Sequence, residues 1–172
     1  MVLPRVINVA GTEEDSITNG PGLRYVLFVQ GCPHHCAGCH NPQTHKFGAG
    51  VNRSVEEIYR EIRNNPLQTG VTFSGGEPFC QAGPLAELAR MLKRDGYDII
   101  VYTGFRFEYL ADSPDPGIHD LLELADVIVD GKFILERRDI LLKFRGSDNQ
   151  RILDVKRSLA EHAPIPVSEE DW

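Results

Sequence analysis

The chain has 172 residues, 41% hydrophobic and 25% charged, with a net charge of -7; this suits one soluble domain with a sizeable core and leaves too little chain for two. The acidic balance disfavours a nucleic-acid footprint, which needs a basic face. No apolar run approaches the length that crosses a bilayer, and no secretory leader is seen, so a cytoplasmic protein with reduced thiols is expected and a disulfide framework is not.

In chain order, Leu23 to Val29 reads as a strand that Gln30-Gly31 breaks, which puts the following residues on a loop at a strand's carboxyl end. Ser54 followed by Glu57 is a capping box opening a helix through about Asn64, and Asn65-Pro66 ends it. The strand Val71-Thr72-Phe73 precedes a helix from Ala82 to Arg94. Ile99 to Tyr102 is a further strand, followed by a helical stretch near His119 to Leu124, with Pro114-Asp115-Pro116-Gly117 as a turn inside the connection. Val127-Ile128-Val129 is the last strand. Such βα alternation implies parallel strands joined by right-handed crossovers. At about 30 residues per unit the chain holds five or six units, short of the roughly 250 residues of a complete eightfold barrel. The expectation is an α/β fold, a partial, incomplete TIM-like (β/α) barrel. Residues 1–157 are read as its single domain and 158–172, ending in Glu169-Glu170-Asp171-Trp172, as an acidic, poorly ordered tail.

The most informative feature is the run Cys32-Pro33-His34-His35-Cys36-Ala37-Gly38-Cys39, whose CxxxCxxC spacing gathers three thiolates and supplies no fourth. The remaining cysteine, Cys80, lies far downstream and is read as a buried small hydrophobe. A four-iron cluster held by Cys32, Cys36 and Cys39 keeps one iron free for another ligand. Zinc is the competing reading, with one of His34, His35, His40 or His45 closing a Cys₃His site. On the cysteines alone the two are balanced, although structural zinc usually draws on two separated pairs, and no second CxxC exists.

CxxxCxxC on the loop after the first strand, followed at the next strand by Ser74-Gly75-Gly76-Glu77-Pro78, resembles the radical S-adenosylmethionine enzymes and their GGE motif. Asn19-Gly20-Pro21-Gly22, Val129-Asp130-Gly131-Lys132-Phe133 and Phe144-Arg145-Gly146-Ser147-Asp148-Asn149-Gln150 look like the activating proteins of anaerobic ribonucleotide reductase in particular, so that the resemblance covers residues 16 to 152. It implies a [4Fe–4S] cluster on Cys32, Cys36 and Cys39 whose fourth iron chelates S-adenosylmethionine. It further implies reductive cleavage of that cofactor to a 5′-deoxyadenosyl radical, which takes a hydrogen from a backbone glycine of the reductase, and a flavodoxin or ferredoxin as electron donor.

The cofactor-binding residues the resemblance implies are Gly38 and His40 toward the adenine with Cys39 between them, Ser74, Gly75 and Gly76 where backbone lies against the cofactor, and Glu77 toward the methionine ammonium. At Gly38 the wider superfamily usually carries an aromatic residue, and glycine is the departure shared with the activating proteins. Asp130 and Lys132 would reach the ribose and carboxylate, with an ordinary strand-end turn as their alternative. Thr103-Gly104 and Arg145 to Gln150 carry a weaker signal. No general base is required, because hydrogen-atom transfer moves proton and electron together. The alternatives are an activase of another glycyl-radical enzyme, of the pyruvate formate-lyase type, and a non-enzymatic zinc module.

Overall fold

Among the described residues, seven strands and five α-helices follow one another as β1 (Val6–Ser16), β2 (Arg24–Val29), β3 (Val51–Ser54), α1 (Val55–Arg63), β4 (Gly70–Gly75), α2 (Ala82–Arg94), β5 (Asp98–Tyr102), α3 (Phe107–Ala111), α4 (Pro116–Leu124), β6 (Val127–Asp130), β7 (Arg151–Asp154) and α5 (Val155–Glu161). This is a computed structural model describing residues 5–168 and residue 170. One sheet runs β3-β1-β2-β4-β5-β6-β7. Its centre, β2-β4-β5-β6, is parallel, and the flanking pairs β1 with β2, β1 with β3 and β6 with β7 are antiparallel.

Strand alternation sorts the side chains into two faces. Tyr25, Leu27 and Val29 of β2 line up with Val71 and Phe73 of β4, Ile99 and Val101 of β5, Ile128 of β6 and Leu153 of β7. They close one core with Ile58 and Ile62 of α1, Leu85, Leu88 and Leu92 of α2, and Leu121 and Leu122 of α4. The helices pack α1 on α2, α2 on α4 and α4 on α5, a single layer over one face of the sheet. The opposite face carries Arg24, Val26, Phe28, Thr72, Ser74, Ile100 and Tyr102. It is the more polar one. Arg24, 1% exposed, is held there by Thr72 Oγ1 at 2.8 Å, by the carbonyls of Pro21, Val71 and Asp98, and by the Asp98 carboxylate at 2.8 Å. The Asn19-Gly20-Pro21-Gly22 turn is thereby tied to the sheet: the Asn19 carbonyl accepts from Thr72 Oγ1 and the Pro21 carbonyl from Arg24.

Three expectations need correction. The cysteine loop follows the second strand, since β1 precedes it and pairs antiparallel with β2. Four parallel strands stand where five or six βα units were expected, because β1, β3 and β7 join the sheet antiparallel. Order also continues past residue 157. Residues through Glu161 complete α5, and the returning chain bonds Asp154 N to Ile165 O, Val167 N to Ile152 O, and Ile165 N to Ser158 Oγ. Of the expected acidic tail, residues 169, 171 and 172 lie outside the described residues.

Candidate functional site

The parallel strands end at one edge, where their carboxyl-terminal loops meet. The chain leaves β2 at Val29 and turns at Gly31, whose N–H donates to the Thr44 carbonyl at 2.7 Å, while Cys32 N donates to the His45 carbonyl at 3.1 Å. The cysteine loop is therefore stitched at its entry to its own exit. Within it His35 and Gly38 hold positive φ, and the Cys39 amide donates to the Cys36 carbonyl. Cys32 is buried; Cys36 and Cys39 are partly exposed. Burial pushes the Cys32 thiol up, and the same cause raises Cys36 against the opposing pull of the Phe133 amide and the nearby Lys132 charge. Thiols kept from ionising by burial are stabilised as thiolates when cationic iron is bound.

β4 delivers the second motif alongside. Gly76 N donates to the Val29 carbonyl and Glu77 N to the Gly31 carbonyl, both at 2.8 Å, so the Gly-Gly-Glu turn docks on the backbone from which the cysteine loop departs. A Cβ at Gly76 would lie 2.3 Å from the Gly31 oxygen, and one at Gly75, at φ +94°, 2.6 Å from Val29 N. The glycines are thus required first by the neighbouring strand's backbone.

Beneath Cys39 a cavity of about 350 Å³ opens on the polar face of the sheet, lined by Asn19, Phe28, His40, Ser74, Tyr102 and Phe133, with Gly146 and Gln150 closing it. Of the expected cofactor residues, Cys39, His40 and Ser74 line this cavity. Gly38 sits at the loop's edge with φ +72° and the Leu135 side chain over it. His40 packs against the Phe133 ring, 5.2 Å between centroids.

Two expected contacts are directed elsewhere. Glu77 is fully buried, and its Oε1 accepts from Phe79 N at 3.0 Å and Thr103 Oγ1 at 2.9 Å, its Oε2 from His34 Nε2 at 2.7 Å and Gly104 N at 2.9 Å. The charge expected to meet a methionine ammonium is spent on these four donors. Asp130 is buried at the end of β6, where it caps the start of α3 through Phe107 N and receives Arg151 on both oxygens. It faces structure and not the cavity. Its partner Lys132 is exposed and reaches toward Cys36. Arg145 to Gln150 forms a self-bonded turn in which Gln150 Oε1 accepts from Gly146 N and Ser147 N. Cys80, expected to be buried, is exposed.

The sequence pointed to no cofactor or positioning role for His34, Tyr102 or Phe133 and only weakly to Thr103. Tyr102 OH donates to the Phe144 carbonyl at 2.6 Å, fastening the Arg145–Gln150 turn over the cavity. For Phe133 the signal was available: it follows the Asp-Gly-Lys motif at a strand end.

Three thiol donors on one strand-end loop suit a cluster that leaves a coordination position open. Among the described residues, no three Cys, His, Asp or Glu side chains converge to hold a single ion. Residues 18–153 match the family model described as 4Fe-4S single cluster domain, which makes this an iron–sulfur protein. The sequence is 38% identical over 144 residues to the anaerobic ribonucleoside-triphosphate reductase-activating protein of Vibrio cholerae and 36% over 144 to that of Haemophilus influenzae, each alignment covering 79% of this chain and 90% of the relative. The protein of that name from Escherichia coli K12 is 32% identical over 143 residues, 78% of this chain and 90% of its own. The chain belongs to this family of activating proteins, and the zinc-module reading falls with that membership.

Proposed function

We propose that the protein is a radical S-adenosylmethionine enzyme that makes the glycyl radical of an anaerobic ribonucleotide reductase. The observation that carries this is the strand-end cysteine loop whose Cys39, together with His40 and Ser74, lines a cavity of about 350 Å³. Cys32, Cys36 and Cys39 would hold the [4Fe–4S] cluster, and Gly38, Cys39, His40, Ser74, Gly75 and Gly76 the S-adenosylmethionine bound at its fourth iron. When bound, cluster and cofactor together supply one-electron cleavage and a hydrogen-atom abstractor. The chain's own residues do the rest. The hydrogen-bonded entry of the loop fixes where the thiols stand. Phe28, Tyr102 and Phe133 give the cavity aromatic walls, which would limit the water that meets a reactive carbon radical. Lys132, exposed beside Cys36, remains a candidate for the cofactor carboxylate.

The order β2-β4-β5-β6, running sequentially with helices on one face, supports reading the central strands as part of a (β/α) barrel whose polar face would be the interior. A cytoplasmic setting and a flavodoxin or ferredoxin donor belong to the same proposal. Mixing the anoxically purified, cluster-loaded protein with the reductase, S-adenosylmethionine and reductant should produce a glycyl-radical electron paramagnetic resonance signal on the reductase that is absent without S-adenosylmethionine. A signal obtained only with pyruvate formate-lyase would favour the other activase class, and failure with both would overturn the proposal.

A further inference from the structure

His34 stands between the first two cysteines, yet its side chain is 7% exposed and turned inward, away from the loop's surface. Its Nε2 reaches Glu77 Oε2 at 2.7 Å, and its ring meets Phe105 edge-on, 4.6 Å between centroids. Gly104 leaves it the space: a Cβ there would lie 2.3 Å from His34 Cδ2. The acceptor is itself immobile, because Glu77 is 0% exposed and simultaneously bound by Phe79 N, Thr103 Oγ1 and Gly104 N. One carboxylate thus ties the cysteine loop, the end of β4 and the end of β5 together.

We infer that His34, locked on Glu77, is a positioning residue that holds the Cys32–Cys36 arc in its iron-binding shape before any iron arrives. The reason is entropic. A loop of three free thiols must be ordered each time a cluster is assembled, and a buried, charge-assisted tether moves that cost from cluster binding to folding. Without the tether, Cys32 keeps its backbone anchor at His45, while the arc between Cys32 and Cys36 loses its hydrogen bond to the buried Glu77 carboxylate and keeps the edge contact of His35 on His45. The cluster would then assemble on a floppy arc and leave it sooner. This rests on the iron–sulfur reading of the site, and the test keeps the two separable.

Wild type, His34→Leu, His34→Asn and His34→Gln are loaded anoxically with iron and sulfide, and iron loss to a ferrous chelator is followed in each, with melting of the metal-free proteins as the fold control. Outer-shell supports of metal ligands are typically worth about 10–100-fold, and that faster iron loss is expected for His34→Leu and His34→Asn. Glutamine, long enough to donate to Glu77, should restore much of the retention. If His34→Leu fails to fold in the metal-free melt, the asparagine and glutamine pair carries the comparison. Wild-type retention in the asparagine variant, or loss from glutamine as fast as from asparagine, overturns the inference. A wild-type protein that takes up no cluster at all sinks the functional reading instead.

Discussion

Cys80 shows how little a cysteine's presence says about its use. Although the residue is exposed, partial burial of its thiol, with Glu77 and Cys32 nearby, pushes its ionisation up to about 11, and it stands outside the loop that carries the other three thiols. Burial raises Cys36 as well, with the Phe133 amide and the Lys132 charge pulling the other way. Replacing Cys36 with alanine should abolish cluster iron and sulfide, measured by chemical analysis after anoxic reconstitution, while Cys80→Ala should retain both at the wild-type level. Loss of cluster from the latter would make Cys80 a fourth ligand. That the cysteine run falls on a loop at a strand's carboxyl end was legible in the sequence. The engagement of Glu77 was not, since His34 and Glu77 lie 43 positions apart and nothing local to either announces the other.

Elements with strong local signals were read nearly to the residue. The helix expected from Ala82 to Arg94 is α2, and the capping box expected at Ser54 and Glu57 opens α1. In that box Glu57 N donates to Ser54 Oγ at 3.1 Å and Ser54 N to the Glu57 carboxylate at 2.9 Å. Because α1 buries Val55, Ile58 and Ile62, fraying at its start is felt in the core. Ser54→Ala should cost about 1 kcal/mol, lowering the melting temperature by about 2–4 °C in a thermal circular dichroism scan. The strands that escaped notice are β1, β3 and β7. The four-residue strands Val51–Ser54 and Arg151–Asp154 close the two edges of the sheet, and the outer half of Val6–Ser16 is mostly exposed, so none shows the apolar alternation that marks a half-buried strand. Reading only the apolar runs yields a wholly parallel sheet, and hence the expected count of five or six βα units.

At the scale of the molecule, the carboxyl-terminal part is fastened to the parallel core by charge. Arg151 on β7 pairs with Asp130 at the end of β6 and, through both terminal nitrogens, with Glu108 on α3. Its hydrogen bonds hold the Glu108 carboxyl down to about 2, against an ordinary value near 4.5. A folded-state value below the unfolded one adds stability that is full above the unfolded value and disappears as pH falls through the folded one. The stabilising contribution of Glu108 should therefore be intact at neutral pH and vanish between about pH 4.5 and about pH 2. Thermal melts across that range should show Glu108→Gln less stable than wild type near neutrality, with the two converging at the acid end; parallel curves would mean that the pair contributes nothing to the pH dependence. Glu108 is half exposed, so the separation is small.

The crowding at Gly75 and Gly76 bears on how tolerance maps of this protein are to be interpreted. A library scored only for soluble expression would reject most replacements at these two positions as firmly as one scored for radical generation, since the obstacle is the adjoining main chain. Intolerance there reports on assembly of the scaffold, and substitutions at Ser74 or His40, which line the cavity, discriminate between a protein that stands and one that works.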